Sequence, residues 1–247
     1  MSKVQFENNL KIQELVKEKG ANRENYSDEE LRFINQFVGF GGMAKFGAKE
    51  DKTLLFEYFT PIEIVEKIMG LAKKHGFKQG GRVLEPSCGT GRFLHYLSPD
   101  SEVLGYEISK TSHAIATLNF PNFVIKNQYF NEHFVDRRGN RKAFKPEFDL
   151  VVGNPPYGDF KGKFTASEKK LLKIDKYVDY FVYRGLSVLK KGGLLIYIIP
   201  SSFINAEMDA VKESIYDLAK LEEAYRLPMK AFDHTDIQTD IVVFRKR

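Results

Sequence analysis

Residues 82–93 read Arg82-Val83-Leu84-Glu85-Pro86-Ser87-Cys88-Gly89-Thr90-Gly91-Arg92-Phe93. A short apolar run meets a Gly-rich turn, and helical spacing resumes beyond it, around 91–97. That is the pattern of a strand feeding a helix. Working outward, the alternation repeats. Glu102–Glu107 predicts a strand, 110–119 a helix, Phe123–Lys126 a strand and 148–152 a strand. A helix is expected over 176–190, closed by Lys190-Lys191-Gly192-Gly193. The continuous apolar run Leu194–Ile199 then reads as a strand buried in the middle of a sheet. A helix over 206–219 and two short strands, 221–226 and 240–245, complete the pattern. The last two suggest an antiparallel pair. Alternation of this kind predicts an α/β fold with a doubly wound, mainly parallel sheet.

Ahead of the first strand, residues 8–19 and 27–38 have helical periodicity, and Ser27 with Glu30 forms a capping-box pattern. Phe37-Val38-Gly39-Phe40-Gly41-Gly42 is a partly apolar break. Glu57-Tyr58-Phe59-Thr60-Pro61 opens a helix over 62–75, with Thr60 expected as N-cap and Pro61 at the first helical position.

The chain has 247 residues, 43% hydrophobic and 29% charged, which suits one α/β domain with a short extension. No apolar run is long enough to span a bilayer, and residues 1–20 lack a signal-peptide core. The single cysteine, Cys88, excludes an internal disulfide and a multi-cysteine zinc site. A cytoplasmic protein without membrane association is expected. Net charge is +5. Arg137, Arg138, Arg141, Lys142 and Lys145 precede one candidate site, and Lys161, Lys163, Lys169, Lys170 and Lys173 follow it. That placement favours phosphate contact over two merely solvated loops.

Four sets of residues carry chemistry. Gly89 and Gly91 let backbone approach a ligand at the first strand-to-helix turn. The spacing is neither Gly-x-Gly-x-x-Gly nor a P-loop, so a nucleoside without pyrophosphate fits better than NAD or ATP. Glu107, at the end of the second strand, can accept from both ribose hydroxyls. After the third strand, Lys126-Asn127-Gln128-Tyr129-Phe130 offers an amide for an adenine edge and an aromatic to pack on its ring. Finally, Gly153-Asn154-Pro155-Pro156-Tyr157 stops the strand over 148–152 in a stiff loop. It presents an amide oxygen, a proline-fixed carbonyl and a flat ring. That set suits a planar amine held still for group transfer to nitrogen.

Together these residues resemble the class I S-adenosylmethionine-dependent methyltransferases. They are most similar to those acting on adenine N6 in DNA, with cofactor motifs before the catalytic one. The resemblance covers residues 57–247 and implies a Rossmann-like seven-stranded sheet. It divides the chain into a helical N-terminal extension, 1–56, and a methyltransferase domain, 57–247. Such enzymes often carry a target-recognition domain after the late motif, and the chain departs from them in that no separate one is expected here. S-adenosylmethionine is the implied cofactor. It would be held by Phe59, Thr60 and Pro61, by Glu85, Pro86, Ser87, Gly89 and Gly91, by Glu107 and Ile108, by Gln128 and Tyr129, and by Asn154. Where the family usually has Asp-Phe, this chain has Gln128-Tyr129, and the adenine contact could instead fall to Asn127. Asn154, Pro155, Pro156 and Tyr157 match the catalytic motif. Tyr157 and Phe232, the latter within Leu227-Pro228-Met229-Lys230-Ala231-Phe232, are the implied rings on a flipped base, with core packing the other role open to Phe232. DNA is the implied partner, and a specificity or partner subunit or loops such as 158–175 would supply recognition. The same chemistry on RNA or a protein glutamine, and a non-catalytic nucleic-acid-binding subunit, are the competing readings.

Overall fold

The computed structural model describes residues 2–41, 57–136, 138, 140–159, 174–229, 231–232 and 237–247. Helices α1 (Lys3–Lys19), α2 (Asp28–Ile34) and α3 (Ile62–Lys74) lead into strand β1 (Arg82–Glu85). Then follow β2 (Glu102–Tyr106), α4 (Lys110–Asn119), β3 (Val124–Lys126) and β4 (Phe148–Gly153). Helix α5 (Tyr177–Ser187), β5 (Leu189–Pro200), α6 (Ser201–Asn205), α7 (Ala210–Leu218), β6 (Ala219–Arg226) and β7 (Thr239–Lys246) complete it. The strands form one seven-stranded sheet in the order β3-β2-β1-β4-β5-β7-β6. β1 to β5 are parallel, and β7 is antiparallel to both neighbours. This is the expected doubly wound sheet with its terminal antiparallel pair.

The pleat sorts β4 and β5 between two cores. Val151, Leu195, Tyr197 and Ile199 face one cluster, with α5 and α7. Leu150, Val152, Leu194, Ile196 and Ile198 face the other, with α3. A strand buried on both faces needs no polar positions, which is why 194–199 reads as an unbroken apolar run. A third cluster joins α1 and α2 to α4 through Ile12, Val16, Ile34 and Ile115. Both N-terminal helices carry complete capping boxes, Ser2 with Gln5 and Ser27 with Glu30.

Four expectations are corrected. Thr60 does not cap α3: Pro61 occupies the N-cap, and Thr60 is buried, with its carbonyl accepting from Arg92 Nη1 at 2.8 Å. The helix expected around 91–97 is a single 3-10 turn, Leu94–Tyr96, after Gly91 bends the chain at φ +87°. Helix α5 stops at Ser187, because buried Leu189 pairs with Phe148 and draws Lys190–Gly193 into a bulged start of β5. The helix expected over 206–219 starts later, at Ala210, where Asp209 caps it by accepting from the Lys212 N–H at 2.8 Å.

Gly70 sits inside α3 with open space where a Cβ would stand. Gly70→Ala should therefore stabilise the protein by about 0.5–1 kcal/mol, by removing backbone freedom from the unfolded chain. A raised urea midpoint checks this; a lowered one contradicts it.

Candidate active site

Strand order reverses between β1 and β4, since β2 and β3 extend one way from β1 while β4 and β5 extend the other. In such sheets the carboxyl ends at the reversal leave a crevice for ligand. Here those ends carry the Gly89–Gly91 turn and the Asn154 loop. Ser87 Oγ donates to the Asn154 carbonyl at 3.2 Å, tying the two together. An open cleft lies there, and six expected residues line it: Phe59, Thr60, Glu85, Ser87, Gly89 and Asn154.

The turn needs its glycines. Gly89 and Gly91 have φ of +56° and +87°. A Cβ on Gly89 would stand 3.0 Å from the Phe59 ring, and one on Gly91 would stand 2.5 Å from Phe120. Pro86 is buried behind the cleft. Glu107 lies directly behind Gly89, 8% exposed. Its Oε2 accepts from the Gly89 N–H at 2.8 Å and its Oε1 from the Ser109 N–H at 2.6 Å. Carboxylate oxygens keep further acceptor capacity, so a ribose could still be bound there. Ile108 and Tyr129 are exposed at the same sheet edge. Asn127 Nδ2 is committed to the carbonyls of Glu107 and Ile108 at 2.9 and 3.1 Å. Gln128 is therefore the amide with an open side chain at this position, and it is exposed.

In the Asn154 loop, Pro155 is buried and Pro156 partly so. The Tyr157 hydroxyl donates to Asn154 Oδ1 at 2.9 Å and also lies 3.3 Å from the Ile198 carbonyl. Burial pushes that phenol far above its ordinary range. Phe232 is not beside the cleft. It is 5% exposed and packed in the core with Leu227 and Ile198. Of the two roles open to it, the structure shows core packing. Lys161, Lys163, Lys169, Lys170, Lys173, Arg137, Lys230 and most of the 158–175 loop lie outside the described residues.

Arg92 was not singled out by its sequence position, yet it frames the cleft. Besides its bond to the Thr60 carbonyl, its guanidinium lies 5.3 Å from the Phe59 ring. Only tertiary proximity reveals this; an Arg just after the Gly turn is the sole sequence signal. The acids around the turn are also unusual. Burial and then Glu107 push Glu57 up to about 8, and the same two causes push Glu85 well above its ordinary value. Glu85 Oε2 is buried and has no hydrogen-bond partner among the described residues. Burial raises Glu107 as well, and it drives the Cys88 thiol up, so that thiol is inert. An acidic, half-satisfied wall suits a cationic ligand, and the glycines give its backbone room. The residues present thus fit S-adenosylmethionine, which carries a sulfonium and an ammonium.

Comparison with known proteins agrees. Residues 94–232 match the Eco57I restriction-modification methylase family. The chain belongs to that family. It is 29% identical over 223 residues to the Defense against restriction protein B of Escherichia phage P1, covering 89% of this chain and 9% of the phage protein. It is 31% identical over 167 residues to the type II methyltransferase M.HincII of Haemophilus influenzae, covering 63% of this chain and 30% of that enzyme. With M.CviBIII of a Chlorella virus included, the chain spans between 9% and 41% of the length of these relatives. Among solved structures, a methyltransferase subunit of a type I restriction-modification system from Streptococcus thermophilus superposes with a TM-score of 0.63 at 18% identity. That match covers 77% of this chain and 45% of the other. A Listeria monocytogenes protein described as a class I S-adenosylmethionine-dependent methyltransferase gives 0.64 at 17% identity, over 91% and 70% of the two chains. The fold is that of class I methyltransferases, whose cofactor is S-adenosylmethionine.

The acidic cluster makes a pH prediction. Folded Glu57 keeps its proton up to about 8, whereas the ordinary value is 4.5. A proton held more tightly in the folded state stabilises fully below the unfolded value and is lost as pH rises through the folded one. Glu57→Gln still accepts from Ser112 but cannot ionise. Its melting temperature should therefore fall less than that of the wild type between about pH 5 and about pH 9. Glu85 and Glu107 shift the same way, so the slope should shrink without vanishing. Identical slopes would contradict the assignment.

Proposed function

We propose that this chain transfers a methyl group from S-adenosylmethionine to the N6 amine of an adenine flipped out of DNA. The observation that carries the reading is the join of the glycine turn and the Asn154 loop in one crevice, through Ser87 and the Asn154 carbonyl. The family match to restriction-modification methylases points to DNA among the possible substrates.

The lone pair of an exocyclic amine is delocalised into its ring, so the amine is a poor nucleophile. Asn154 Oδ1 and the Pro155 carbonyl would accept hydrogen bonds from its two N–H groups and draw the nitrogen toward tetrahedral geometry. When bound, S-adenosylmethionine supplies the electrophilic methyl that the freed lone pair takes up. No strongly basic side chain is required, because the amine becomes acidic only after transfer. Oriented dipoles of this kind lower barriers by about 2.7–4 kcal/mol per donor or acceptor. The Tyr157 hydroxyl has a second effect. An amide oxygen has two lone pairs, so Asn154 Oδ1 can hold the Tyr157 hydroxyl and the target N–H at once. The phenol thereby fixes the amide's rotation, while the partly exposed ring face would be free to stack on the base. Base–aromatic stacking is worth roughly 1–3 kcal/mol, comparable to the expense of extruding a base.

Labelled methyl offered in parallel to DNA, RNA and protein, followed by nucleoside analysis, tests the reading. N6-methyladenine in DNA is expected; label in RNA or protein alone overturns it. Asn154→Ala should reduce turnover by roughly 10²–10³-fold with cofactor affinity nearly unchanged, as calorimetry would show. Collapse of cofactor binding instead would contradict its role. Tyr157→Phe keeps the ring and loses the hydroxyl. It should reduce kcat by about threefold to tenfold, the worth of one hydrogen bond.

A further inference from the structure

The family match begins at Leu94 and assigns nothing to residues 2–61. We propose that the N-terminal helices act as a clamp that sets the outer wall of the cofactor cleft, with Asn9, Phe37, Gly41 and Glu57 as positioning residues. The proposal rests on the cofactor reading above and concerns how its site is held.

The contacts run unbroken from α1 to the cleft. Asn9, on α1, is fully buried. Its Nδ2 donates to the Gly39 carbonyl at 2.5 Å and its Oδ1 accepts from the Val38 N–H at 3.3 Å. A buried amide is tolerated only when bonded, and here it fixes the bend at residues 38–39. Gly39 and Gly41 then close around the Glu57 carbonyl oxygen. Cβ atoms on them would stand 2.6 and 2.7 Å from it, and the Gly41 N–H donates to it at 3.3 Å. Only glycine allows backbones to approach so closely.

The Glu57 side chain completes the joint. Its Oε1 accepts from Ser112 Oγ on the first turn of α4. The next residues, Tyr58, Phe59 and Thr60, line the cleft. Phe37 meets Phe59 with ring centroids 6.0 Å apart. Phe59 in turn lies over Gly89. Asn119 Nδ2 also donates to Asn35 Oδ1 at 2.6 Å, fastening the far end of α4 to the end of α2. The wall therefore takes its position from the extension on one side and from Arg92 on the other.

Gly41→Ala tests this. Its backbone has no positive φ, so the added methyl acts through its clash with the Glu57 carbonyl. Calorimetry with S-adenosylhomocysteine on the full chain should show binding weakened by about threefold to thirtyfold. Phe37→Leu, which keeps an apolar side chain in the core, should weaken it in the same direction. Stability is separated from positioning with Gly70→Ala, placed in the Gly41→Ala background. The double variant should recover melting temperature but not affinity, and its KM for S-adenosylmethionine should stay raised with KM for DNA unchanged. Unaltered affinity in Gly41→Ala and Phe37→Leu, or affinity returning together with melting temperature, overturns the clamp. If the wild type itself gives no heat with S-adenosylhomocysteine, the cofactor reading fails and takes the clamp with it.

Discussion

The carboxyl ends of β1 and β4 meet where strand order reverses, and the 3.2 Å bond from Ser87 Oγ to the Asn154 carbonyl crosses that meeting point. The bond joins the Gly89–Gly91 turn to the loop that carries the Asn154 amide and the Tyr157 ring. The sheet pays for this precision with burial: Leu150, Val151 and Val152, the residues that lead into Asn154, are fully inaccessible. A β4 clamped on both faces cannot swing its end, so the loop inherits the rigidity of the core.

Around that fixed point the polar groups are arranged for a ligand more than for stability. Glu85 and Glu107 are buried and Glu57 is half-buried, all three with raised carboxyls, and Glu57 Oε2 and Glu85 Oε2 are inaccessible atoms with no hydrogen-bond partner among the described residues. A core selected only for stability would replace such groups, since buried acids are expensive unless bonded or protonated. Beside the glycine turn they give the cleft a reserve of negative charge that a cation can call out. The same cluster explains why Cys88 is silent, its thiolate opposed by burial and by two carboxylates.

Much of this was readable in the sequence because local signals agreed with the fold. Strand Arg82–Glu85 is centred on the apolar pair Val83-Leu84, Ser27 and Glu30 form the capping box their spacing predicts, and Gly89 and Gly91 take the positive φ that a tight turn demands. The failures share one cause, tertiary contact overruling local preference. Thr60 looks like an N-cap, but Arg92 claims its carbonyl. Lys190–Gly193 looks like a helix end, but Leu189 pairing with Phe148 places it in a strand. Phe232 was open to base contact or core packing, and it is buried in the core. The role of the extension was equally invisible, because Asn9 and Gly39 lie thirty residues apart in sequence and meet only in the fold.

A crystal structure with S-adenosylhomocysteine tests the central claim most directly, namely that the β1 turn and the β4 loop form one site. The ligand's sulfur should face Asn154 from the crevice, its amino acid end lying against Phe59–Thr60 and Glu85 and its ribose against Glu107. A ligand seated away from the β1–β4 junction, or with its sulfur turned from Asn154, would contradict that claim.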